Sequence, residues 1–275
     1  MHQGDRDRAR DPPVKDFIRD LCPPLLWRAF AAMRPRSAVP RKMFGGVFRR
    51  FDEVADQRPW AQPGYYETCR AQLKECPAIH PTAQTTHALL ALLINALPAG
   101  RPPRILDFGG GTGLRFWSTR PALNQPVAWQ VVDSPALASI SSEVMGAATE
   151  LAFAASLPPA GSAFDIVLVY SSLQYVEAQD ELLVTLASYR PRYIVLPRSM
   201  ALGDQSYVTR QLVQGFTTPC KVSSIDEITS TLARSRYERV LMVRDGFDLS
   251  PMCDEDVPIT MRTGKEWLLV FRSVS

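Results

Sequence analysis

The sequence predicts an α/β fold: a mostly parallel sheet of seven strands, an antiparallel edge strand, and a helical extension at the N-terminus. Three observations carry that reading. From residue 105 onward, short unbroken apolar runs alternate with helical segments, the mark of a parallel sheet covered on both faces. The first run ends in a carboxylate followed by four glycines in five positions, LDFGGGTG over 106–113. The second, VAWQVVD, ends in another carboxylate, Asp133.

The elements follow in order. Residues 1–43 read as a basic arm, disordered to Pro13, with helical spacing at Val14, Phe17, Ile18, Leu21 and Leu25. Pro23-Pro24 interrupts that spacing, because a proline holds its predecessor away from the helical region. Residues 44–81 hold aromatics among turn residues, with one helix expected near 65–75, and form a cover segment. The main domain spans 82–275. Thr82 caps a helix whose apolar run, 88–97, predicts burial on nearly every side. Strands are expected at 105–108, 127–132, 151–154, 164–170 and 193–197. Ser134 as cap, Pro135 in the first turn and Gly146 as stop define a helix between the second and third strands. DELLVTLASYR supplies another helix, and Ser224 with Glu227 forms a capping box for the last one. The connection 199–222 reads as a long loop, part of a lid, with Tyr207 and Arg210 facing an acceptor. ERVLMV and WLLVF close the chain as an antiparallel pair.

The 275 residues, 46% hydrophobic and 21% charged, suffice for one large domain with a core of good size. The net charge of +3 conceals an asymmetry: residues 1–50 carry twelve Lys/Arg against five Asp/Glu, and the other 225 carry nineteen against twenty-three. The bulk of the chain therefore gives no support to nucleic-acid binding. Five cysteines, at 22, 69, 76, 220 and 253, fit no metal-ligand spacing and read as reduced thiols. No apolar window reaches the roughly 18 residues of a membrane span, and the first residues lack the apolar core of a secretory signal. A cytoplasmic location is expected; the apolar stripe of the N-terminal arm reads first as packing on the main domain, with a weak peripheral membrane contact as the alternative. Lys15, Arg19, Arg28 and the following basic residues surround the apolar stripe, as in an interfacial helix.

The glycines sit in the turn after the first strand of an open α/β sheet, where such folds bind ligands. The dinucleotide fingerprint G-x-G-x-x-G fails, because its sixth position is Leu114. The spacing is instead Asp107-x-Gly109-x-Gly111-x-Gly113. A carboxylate at the strand end suits a ligand with a cationic end. Asp133, 24 residues after Gly109, is placed to take hydrogen bonds from ribose hydroxyls.

ILDFGGGTG followed by VVD resembles the first motif and the second-strand acid of class I methyltransferases that use S-adenosylmethionine, a Rossmann-like family. More narrowly, GGVFRRFDEV (45–54), SSLQYV (171–176), RYIVLPRS (192–199) and TPC (218–220) resemble a family of bacterial methyltransferases associated with surface-polysaccharide loci. The chain departs from that family at Leu114-Arg115-Phe116-Trp117, where relatives are often more polar.

The resemblance implies S-adenosyl-L-methionine as cofactor, with Asp107 serving its ammonium end directly or through water, Gly109, Gly111 and Gly113 passing beneath it, and Asp133 on the ribose. It implies adenine contact at Ser156 and a border to the methionine end at Ser171. Gln174, Tyr175 and Arg198 are candidates for the acceptor side, and Tyr175, Arg198 and His87 are the candidate catalytic residues. Each has a plainer reading: packing for Tyr175, a solvated surface for Arg198, a satisfied core histidine for His87. The expected activity is methyl transfer to a hydroxyl or amine of a small molecule or glycan precursor. The alternative is a non-catalytic cofactor-binding or assembly protein that keeps the fold.

Overall fold

A computed structural model describes residues 42–75, 85–145, 150–213 and 215–274. The N-terminal helices and their membrane contact, the Thr82 cap, the Gly146 stop, Cys22 and Cys76 lie outside those residues. Among the described residues, no helix is long and apolar enough to cross a membrane.

The centre of the molecule is a set of parallel strands: β2 (Arg104–Phe108), β3 (Ala128–Val132), β4 (Leu151–Ala154), β5 (Ile166–Leu168) and the first part of β6 (Tyr193–Leu202). Their order across the sheet is β4-β3-β2-β5-β6, with β2 in the middle. The last two strands, β9 (Tyr237–Asp248) and β10 (Lys265–Ser273), pair antiparallel, and β10 inserts between β6 and β9. The antiparallel strand is therefore an interior one, and β9 takes the edge.

Among the described residues the sheet has ten strands where the sequence predicts seven. The additional three are β1 (Phe44–Phe48), β7 (Tyr207–Val213) and β8 (Phe216–Ser224), an antiparallel group that joins the end of β6 through Ala201↔Ser223 and Leu202↔Ser224. The stretch 199–222 is thus a continued strand and a hairpin, not a loop. A bulge in β6 makes the change of partner possible. The register against β10 slips between Leu196 and Ser199, and Arg198 within it has φ +51°.

Helices cover the central strands on both faces. On one side α5 (Gln179–Ser188) and α6 (Ile225–Arg234) bury Leu182, Leu183, Leu186, Ile228 and Leu232 against Val167, Ile194, Leu269 and Phe271. On the other, α2 (Thr85–Asn95) and α3 (Leu114–Thr119) bury Leu90, Ile94 and Phe116 against Ile105, Trp129, Val131 and Ile166. Each fully buried side chain of this size contributes roughly 1.5–3 kcal/mol. The predicted caps form: Ser134 Oγ accepts from Leu137 N–H at 3.4 Å at the start of α4 (Pro135–Met145), and Ser224 Oγ accepts from Glu227 N–H at 3.1 Å. The capping box closes through a relay, since Ser224 N–H donates to Ser206 Oγ and Ser206 donates to Glu227 Oε2. The helix expected near 65–75 is α1 (Pro63–Glu75); Arg70 on it makes a two-pronged ion pair with Glu143 on α4.

Candidate cofactor and acceptor site

The glycine turn is built for a close approach from above. Gly109, Gly111 and Gly113 have φ of +66°, +60° and +73°, a backbone region that costs other residues about 1–2 kcal/mol. Below, the turn is closed. A Cβ at Gly109 would lie 2.5 Å from Ser172 Cβ, and one at Gly110 would lie 2.5 Å from the Asp107 carboxyl carbon. At Gly111 a Cβ would meet nothing within 4 Å.

Asp133 borders that open side. Its Oδ2 accepts Gly111 N–H at 2.9 Å and its Oδ1 accepts Ser134 N–H at 2.7 Å. A carboxylate oxygen has two lone pairs, so each oxygen keeps one for a further donor, which suits two adjacent ribose hydroxyls. Helix α1 passes nearby, with Tyr65 and Cys69 in electrostatic range of Asp133. Burial pushes both the Tyr65 hydroxyl and the Cys69 thiol up.

Asp107 lies under the turn. It is fully buried, its carboxyl is tucked beneath Gly110, and Trp129 Nε1 donates to its Oδ2 at 3.1 Å. Oδ1 is buried without a partner. The missing side chain at Gly110 is what lets the acid fold under the turn. Burial pushes its carboxyl up to about 7 against the opposing pull of Trp129 and Arg115.

Ser156 is exposed beyond the end of β4. Ser171, after β5, has φ +52° and donates its N–H to Pro197 O at 3.0 Å. Both stand at the carboxyl edge of the sheet, with Gly111 and Asp133.

The acceptor candidates are drawn into interactions of their own. The Tyr175 hydroxyl donates to Gln211 Oε1 at 3.0 Å, its ring packs edge-on against Trp60 at 4.9 Å, and burial pushes its hydroxyl up. Gln174 is buried and donates from Nε2 to Ser171 O and Oγ. Arg198 donates from Nε and Nη2 to Glu266 Oε2 at 3.0 and 2.9 Å. His87 is buried, with Nε2 3.1 Å from Arg115 Nη1. An arginine only donates, so Nε2 must be unprotonated and the ring neutral. Tyr207 and Arg210 also have partners of their own: Tyr207 donates to Met261 O and Arg210 pairs with Asp254. Sequence reading missed the weight of Trp129, Glu266 and Arg115; of these only Arg115, directly behind the glycines, carried a local signal.

A cavity of about 400 Å³ lined by Leu97, Gly100, Arg101 and Asp165 opens near the amino ends of β2 and β5 and takes no part in this site.

No family model matches the chain, and no curated protein matches it in sequence. Solved structures match in fold. Human N-acetylserotonin methyltransferase, in complex with SAM, superposes with a TM-score of 0.50 at 12% identity, over 78% of this chain and 58% of that one. The [4+2]-cyclase SpnF gives 0.49 at 14%, over 83% and 98%. The 1,6-didemethyltoxoflavin-N1-methyltransferase of Burkholderia thailandensis gives 0.45 at 15%, over 81% and 95%. The chain has the Rossmann-like methyltransferase fold, with a mostly parallel sheet and added antiparallel strands.

Proposed function

We propose that the chain binds S-adenosylmethionine and transfers its methyl group to a hydroxyl or amine of a small molecule or glycan precursor. The carrying observation is the turn that is closed beneath and open at Gly111, with Asp133 holding the open side. Asp133 would hold the ribose, and Gly109, Gly111 and Gly113 would let the ligand lie against the backbone. The cofactor supplies an activated methyl on a sulfonium. The protein's part is then mainly alignment of donor and acceptor. The neutral His87 ring and the hydrogen-bonded Tyr175 position their neighbours, and no base is assigned. Glycan chemistry rests on sequence resemblance alone.

Calorimetry with S-adenosylhomocysteine tests the cofactor. Asp133→Ala should weaken binding at least tenfold, since hydrogen bonds to a charged acceptor are worth about 1.5–3 kcal/mol each. No binding by folded wild type would overturn the reading. The engagement of His87 and Tyr175 favours one rival, a non-catalytic protein that keeps the cofactor site. Cofactor turnover in the presence of cell extract would exclude it.

A further inference from the structure

One turn of 3-10 helix, Leu173–Tyr175, joins the glycine turn to the added antiparallel strands. On one side of it, Ser172 Oγ donates to Phe108 O at 2.9 Å, and the same side chain closes the underside of Gly109. On the other side it packs against β8, and Tyr175 reaches Gln211 on β7. Gln211 and Thr218 stand opposite one another in the β7–β8 ladder. Their side chains therefore share a face, with Cβ atoms about 4.5–5.5 Å apart. Gln174, Tyr175, Gln211 and Thr218 form one polar cluster next to the glycine turn. Its hydrogen bonding is incomplete in a definite way. Gln174 Oε1 and Thr218 Oγ1 are buried with no partner, in residues 3% and 0% exposed. Buried polar atoms left unpaired are costly. Burial pushes the Tyr175 hydroxyl up, so it stays protonated and donates to Gln211 Oε1. That bond occupies the Gln211 carbonyl oxygen and leaves Nε2 as a donor.

The cluster thus offers an acceptor at Gln174, a donor at Gln211 and a hydroxyl that acts either way at Thr218. It carries no charge of its own. The arginines on the adjoining strands are already matched, Arg198 by Glu266 and Arg210 by Asp254. Glu266 also lies in electrostatic range of Tyr175. A carboxylate or phosphate only accepts, so Gln174 Oε1 would repel it. An ammonium only donates, so it would leave Gln211 Nε2 unanswered. A hydroxyl donates to the first and accepts from the second. Tyr175 is half-buried, with Trp60 edge-on to its ring at 4.9 Å, so the cluster comes to the surface at an aromatic border. Resting on the methyl-transfer reading above, we infer that this cluster is the specificity subsite for the acceptor, and that it selects an uncharged, hydroxyl-bearing molecule over charged ones of the same shape.

The test uses three small probes that share one carbon skeleton: propylene glycol, which is uncharged, lactate, an anion, and isopropanolamine, a cation. Saturation-transfer NMR titrations of each against the protein loaded with S-adenosylhomocysteine give the affinities. The glycol should bind at least about fivefold more tightly than either charged probe. Gln211→Met and Thr218→Val should each weaken the glycol about threefold to tenfold, the worth of one neutral hydrogen bond, and leave S-adenosylhomocysteine affinity within about twofold of wild type. Circular dichroism melts identify a variant that fails to fold, and the nearly isosteric Thr218→Val then carries the comparison. A charged probe that binds as tightly as the glycol would overturn the inference, as would the binding of no probe. Unchanged glycol affinity in the folded variants would assign the orphaned atoms to ordered water and overturn it too. Should folded wild type fail to bind S-adenosylhomocysteine by calorimetry, the cofactor reading falls separately, and the same titrations on the free protein decide the subsite.

Discussion

Trp129 holds Asp107 beneath the glycine turn by a single indole hydrogen bond, Nε1 to Oδ2 at 3.1 Å. The two residues come from adjacent parallel strands, with Trp129 opposite Ile105 in the register. Their side chains meet on the face covered by α2 and α3, where Trp129 is almost fully buried. One carboxylate oxygen is satisfied and the other is not. A buried acid so placed favours its protonated form.

The first prediction is a pH dependence of stability. Burial pushes the Asp107 carboxyl up from its ordinary value of 3.8 to about 7. Between those two values the folded state holds more proton than the unfolded state, so stability falls as pH rises through that window. Asp107→Asn cannot ionise. The difference in melting temperature between variant and wild type should therefore shift in the variant's favour from pH 4.5 to pH 7.5 and level off above. A difference that stays constant over that range would mean Asp107 titrates normally.

The second prediction separates two neighbouring glycines. Gly111→Ala meets open space and only the strain of a left-handed backbone, roughly 1–2 kcal/mol. Gly110→Ala drives a Cβ into the Asp107 carboxyl, which is fully buried and has no room to retreat. Thermal melts should show Gly110→Ala as the more damaging. Calorimetry with S-adenosylhomocysteine should show Gly111→Ala losing affinity while still folded, because its methyl group fills the space above the turn. Retained affinity would place the ligand elsewhere.

The central strands and the glycine turn were legible because their signals are local. Apolar runs marked β2 to β6, and Asp107, the glycines and Asp133 follow one another at fixed spacing. The outer antiparallel strands were not. Gly45 and Gly46 mask the strand pattern of β1, and Pro219 sits inside β8. Proline is tolerated there because β8 pairs with β6 only at Ser223 and Ser224, leaving that side free of a ladder at residue 219. Charged partnerships were equally hidden: Arg198 with Glu266 spans 68 residues, and Thr86 with Asp245 spans 159. Nothing local in a sequence announces such pairs.

The third prediction uses one of them. Glu266 is almost fully buried, with 3% of its side chain exposed, and accepts two hydrogen bonds from Arg198 at the β6 bulge. Removing one partner of a fully buried pair costs about 3–5 kcal/mol, because the other charge is left in a poor solvent. Arg198 is 37% exposed, so water can reach the gap and the cost of Arg198→Ala should fall below that range. It should still lower the melting temperature clearly, at about 2–4 °C per kcal/mol for a chain of this size. Arg198→Ala combined with Glu266→Gln should recover much of the loss, since the uncompensated charge is gone. Gly246→Ala offers an independent check, because its Cβ would overlap the Glu266 carboxylate and disturb the same pair from the β9 side. Were Arg198→Ala to melt like wild type, the pair would contribute nothing to stability, and Arg198 would return to the acceptor-binding role its place at the sheet edge suggests.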